Sequence, residues 1–148
     1  MTNKALSYAE NTLGVHTVYE ELTGNIEQLD VVLADLDKAQ DRRRGITDKM
    51  ADREVELTNE MRGVHPNMSD TRFKSEWKGW ERTDEVLSAL RRDLLEVQGE
   101  IQGIEFDVEI LRHRIKAGCA RVEQLGGYLH YLAAVKLQVQ KNQAEQRK

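Results

Sequence analysis

Apolar residues alternately three and four positions apart dominate two long stretches of this chain. Val15, Tyr19, Leu22, Ile26, Leu29, Leu33 and Leu36 keep this spacing in the first. In the second it runs from Leu87, Leu90, Leu94, Val97, Ile101 and Ile104 to Val108, Leu111 and Ile115, then through Val122, Leu125, Leu129 and Leu132. A period of this kind gathers side chains into one narrow helical stripe, the seam of a coiled coil. Such a stripe specifies a partner helix and encloses no cavity for chemistry.

The single proline, Pro66, leaves room for uninterrupted helix on either side. Charged residues make up 32% and aromatics 5%, which argues for exposed helices over a large globular core. A net charge of -4 gives no overall basic bias of the kind that nonspecific nucleic-acid binding uses. Cys119 is the only cysteine, so an internal disulfide and a cysteine zinc site are excluded and a reducing compartment fits. The first residues lack the apolar stretch of a secretory signal, and no apolar run is long enough to cross a membrane as a helix. The expected location is the cytoplasm, or a virion if the chain is phage-encoded.

The heptad phase can be followed through nearly the whole chain. It starts at Ala5, Tyr8 and Thr12, and it places Gln40, Arg43 and Thr47 on the seam before Met50 resumes the apolar pattern. The pattern predicts a single domain over 1–148, with helix one at about 3–62, a tip at 63–82 and helix two at about 83–145. The expected fold class is all-α, a long antiparallel helical hairpin of coiled-coil type that assembles into a multi-helix bundle. Val18, Val31, Val32, Val55 and Val86 widen the stripe, as bundles of more than two helices require.

Two registers fit the stripes. The favoured one pairs Met61 with Leu90 and Val64 with Leu87, and the other pairs Leu57 with Leu87 and Ile26 with Gly118. Gly63 and Pro66 form the helix stop, and Thr83 before Asp84 and Glu85 forms the expected start of helix two. Ser69 with Asp70 offers a second start, for a short helix that Gly79 would end.

Two regions are candidates for function. Arg72, Phe73, Lys74, Trp77, Lys78, Trp80 and Arg82 interleave aromatic and basic groups in the tip. Three readings stand: a hydrophobic plug over Met61, Val64 and Leu87, an anchor for a protein partner, or a nucleic-acid contact. The second region is the polar interruption at Gln40, Arg43, Gly45 and Thr47, read as a register-fixing patch, a hinge at Gly45, or a phosphate site with Arg42 and Arg44. Gly99, Gly103, Gly118, Gly126 and Gly127 suggest close helix packing or a kink, and Cys119 is expected to be half-buried beside the seam.

Trp77-Lys78-Gly79 resembles the turn of the small secreted W-x-G helical hairpins. Those proteins are much shorter, and they carry a C-terminal tyrosine followed four residues later by an acid. Here Tyr128 is followed by Leu132 and Tyr131 by Val135, so the likeness stops at three residues.

No metalloprotease, phosphate-loop or nucleophile-elbow motif occurs, and the four histidines show no metal-ligand spacing to one another. Glu109 and His113 share a helix face as a surface pair. The expected function is non-enzymatic and free of metal or cofactor. It is that of an interaction protein, as an assembly scaffold, adaptor or structural component such as one of a phage. Its expected partners are copies of itself and a protein not identified by the sequence. The alternatives are a nucleic-acid accessory protein and an enzyme inhibitor using the tip.

Overall fold

A computed structural model describes residues 14–146. Within them the chain is an all-α helical hairpin with three helices and no strand. Helix α1 spans Val15–Val64, α2 spans Asp70–Thr83 and α3 spans Glu85–Gln146. The expected start of helix one near residue 3, with seam positions Ala5, Tyr8 and Thr12, lies outside the described residues. Gly14, immediately before α1, has a φ of +62°, in the left-handed region that glycine enters without a Cβ penalty. The chain divides into two compact units.

One unit is Val32–Asp107. Its core joins Leu36, Ala39 and Ile46 of α1 to Val97, Ile101 and Ile104 of α3. Ala39 is completely buried, whereas Arg43 and Thr47 are exposed and Gln40 is half-buried. The seam has therefore rotated by one position. The offset is constant along α1 and not a gradual drift: Val18 and Asn25 are already half-buried where Tyr19 and Ile26 are exposed, just as Ala39 and Ile46 are covered where Thr47 is exposed. The same rotation brings Arg42 to Glu100, with Nη2 donating to Oε1 at 2.6 Å.

Farther along α1, Leu57 and Met61 are buried, as is Leu87 near the start of α3. Val64 is 61% exposed, which overturns the pairing of Val64 with Leu87. The last turns of α1 are instead packed by α2, which occupies the expected tip. Arg53 of α1 meets Asp84, the residue immediately before α3, so Leu57 to Val64 project past the start of α3. They run alongside α2.

Among the described residues the other unit comprises 14–31 and 108–146. Val108, Leu111 and Leu125 of α3 are buried, and Val15, Val18, Leu22 and Leu29 of α1 are half-buried. Gly118 lies against Leu22: a Cβ there would sit 3.0 Å from the Leu22 Cδ1. Large does face small, but one turn away from the Ile26 pairing, and Ile26 is 44% exposed. Gly99 and Gly103 have open space around them, so neither marks a close approach. Helix α3 passes through Gly126 and Gly127 unbroken. Cys119 is exposed, on the outer side of α3, and not half-buried.

Candidate functional site

Helix α2 forms because the segment after Pro66 carries its own start signal and its own stripe. Ser69 is extended, and its Oγ accepts the Arg72 backbone N–H at 3.4 Å, with Asp70 in the first turn facing the positive end of the helix dipole. Phe73, Trp77 and Trp80 recur at helical spacing and turn toward the hairpin, all three half-buried. The helix does not end at Gly79 but continues to Thr83, whose hydroxyl donates to the carbonyls of Gly79 and Trp80. Trp77-Lys78-Gly79 thus lies inside a helix, unlike the turn it resembles.

Asp84 ends α2 and begins α3. Its backbone N–H donates to the Trp80 carbonyl at 3.0 Å, and its Oδ2 accepts the Leu87 N–H at 2.9 Å. The cap of α3 is therefore Asp84 and not Thr83. Arg53 of α1 clamps this junction, its Nη2 and Nε donating to the two Asp84 oxygens at 2.7 and 3.2 Å. Its Nη1 donates to Glu56 and Glu60, both at 3.2 Å. The Arg53 hydrogen bond, with help from the Leu87 N–H, holds the Asp84 carboxyl below its ordinary 3.8, against the opposing effect of desolvation. The same bond to Asp84, reinforced by Glu56, raises the Arg53 guanidinium. Arg91 also donates to Glu81, tying α3 to the last turn of α2.

The seven tip residues divide by face. Phe73 and Trp77 stack with centroids 6.0 Å apart and planes 17° from parallel, an arrangement worth about 0.5–1.5 kcal/mol beyond its buried area. Arg62 of α1 places its guanidinium carbon 5.4 Å from the Phe73 ring centre. Arg72 is paired with Glu76 at 2.9 Å. Lys74, Lys78 and Arg82 are exposed, one turn apart along the outer flank of α2, and have no ion-pair partner among the described residues.

Trp77 lines two open grooves at once. One runs along the lysine flank, among Phe73, Lys74, Ser75, Lys78 and Thr58, with Glu81, which Arg91 neutralises, at its end. The other lies on α1, among Ala51, Glu54, Val55 and Asn59. Val55, at its edge, is 61% exposed. Of these α1 residues only Val55 stands out in the sequence, as a valine that widens the stripe, and nothing in the heptad places a third helix beside them. The one available signal was the Ser69 start followed by the aromatic spacing.

The residues of the polar interruption are dispersed. Arg42 pairs with Glu100 and Arg44 with Asp41 at 3.1 Å, while Arg43 points to solvent. Thr47 donates its hydroxyl to the Arg43 carbonyl at 2.9 Å, and α1 is continuous through Gly45. Glu109 and His113 are an exposed surface pair at 3.9 Å. Among the described residues no group of three histidine, cysteine or acidic side chains could hold a metal ion, and no helix is long and apolar enough to cross a membrane.

No protein-family model, curated protein or solved structure matches the chain.

Proposed function

We propose that this chain is a non-enzymatic interaction protein, an assembly scaffold or adaptor, which engages protein partners through the outer flank of α2. The observation that carries this reading is Trp77, which is half-buried yet open to two grooves and bordered by the unpaired Lys74 and Lys78. Tryptophan beside positive charge is the composition of an interface anchor, since a large rigid side chain adds contact area at little entropic cost. Stacking between Phe73 and Trp77 consumes ring faces that a nucleic-acid base would need, which favours protein over nucleic acid.

Cross-linking and pull-down with the full chain and a Trp77→Ala variant test this reading. The expected result is capture of a defined protein by the wild type and its loss in Trp77→Ala, with helicity by circular dichroism unchanged. Single-stranded DNA retention that strengthens at low salt and disappears in Trp77→Ala would overturn it in favour of a nucleic-acid role.

A further inference from the structure

Charge is segregated along this chain in a way its net value conceals. Between Val15 and Asp37 there are six acidic residues and neither lysine nor arginine: Glu20, Glu21, Glu27, Asp30, Asp35 and Asp37, all exposed. Only Glu20, with His16, and Asp35, with Lys38, are ion-paired among the described residues. Helical spacing sets Tyr19, Thr23, Ile26 and Asp30 on one flank of α1, with Glu20 and Glu27 beside them. An open groove lined by His16, Tyr19, Glu20, Thr23, Gly24 and Glu27 marks this flank. Tyr19 is 53% and Ile26 44% exposed, although both belong to the apolar stripe of the sequence.

This flank has the chemistry that the α2 flank lacks. It offers exposed apolar side chains among unpaired carboxylates, and α2 offers an aromatic groove bordered by unpaired cations. We infer that a second copy of this chain supplies the occupant, the Tyr19–Asp30 flank of one molecule docking on the Lys74, Trp77 and Lys78 flank of α2 in the next. The inference rests on the reading of α2 as a docking surface. The two faces differ, so the contact is heterologous, and repetition generates a ring or an open string of molecules. Charge complementarity steers and orders the association, which makes it sensitive to salt.

The test uses the full chain under reducing conditions, in sedimentation velocity at low and high salt. One variant carries Lys74→Glu with Lys78→Glu and the other Glu27→Lys with Asp30→Lys. The wild type should associate at low salt and weaken as salt rises. Each variant alone should associate less by on the order of tenfold or more, since like charges then face each other. An equimolar mixture should recover association, because each reversed face meets its reversed complement. Circular dichroism that matches the wild type shows that both variants fold. A monomeric wild type at low salt overturns the inference. So does loss of association in the lysine variant without recovery in the mixture, although that result leaves α2 standing as a docking surface for a different face of the second copy.

Discussion

Arg53 donates two hydrogen bonds to the Asp84 carboxylate, at 2.7 and 3.2 Å, and that same carboxylate caps helix α3 through the Leu87 N–H. One aspartate therefore ends α2 with its backbone N–H, starts α3 with its carboxylate and ties both to the C-terminal part of α1. The pair is well shielded, with 19% of the Arg53 side chain and 9% of the Asp84 side chain exposed.

Substitutions at Asp84 separate its two roles. Asp84→Ser keeps an oxygen for the Leu87 N–H but leaves Arg53 without its partner. Asp84→Ala removes the Arg53 partner and the cap together, and loss of the cap costs about 1 kcal/mol more than Asp84→Ser does. Urea unfolding should rank stability as wild type, then Ser, then Ala.

The depressed carboxyl of Asp84 makes this junction acid-sensitive. Its contribution is fully present above the unfolded value near 3.8, and it is lost as pH falls through the lower folded value. Urea midpoints measured from pH 6 downward should fall below about pH 4 more steeply for the wild type than for Asp84→Asn. Parallel curves would refute this linkage.

Glycine substitutions on α3 should distinguish open from close-packed positions. Gly99→Ala and Gly103→Ala enter open space and should each stabilise by roughly 0.5–1 kcal/mol, since alanine loses less backbone entropy in a helix. Gly118→Ala meets Leu22 and should forfeit that gain. Thermal melts of the three variants supply the comparison.

The buried end of α1 separates the observed register from the one the stripes favoured. Leu87→Ala and Met61→Ala each empty a fully buried position and should cost about 2–5 kcal/mol. Val64→Ala, at an exposed position, should change stability by no more than about 0.5 kcal/mol. A large loss at Val64 would restore the register in which it faces Leu87.

The helical stripes and the halt between them were legible because burial of an apolar face leaves a periodic trace in any sequence. The start of α2 was also legible at Ser69 and Asp70, since caps depend on residues a few positions apart. The length of α2 was not. Gly79 marks a stop only where no packing rewards continuation, and Trp80 with Glu81 supplies that packing beyond it. Thr83 and Asp84 are equally plausible caps in sequence, and Arg53, thirty-one residues away, selects the aspartate. Ala39 is not legible as a seam residue because a small side chain contributes little to an apolar stripe, yet its size is what lets it be completely buried.

By itself, then, the sequence determined an all-α hairpin, the halt between its two long helices and the aromatic, basic character of the segment between them. These follow from interactions along one helix, where neighbours are set by covalent order. Only the tertiary structure decided the register, the rotation of the seam onto Ala39 and Ile46, and the faces of α2 turned inward and outward. A heptad repeat looks the same after every seven residues, so neighbouring registers differ little in the stripe that each buries. What separates them is side-chain fit across the interface, Gly118 against Leu22 and Arg53 against Asp84, and that fit exists only once the helices are together.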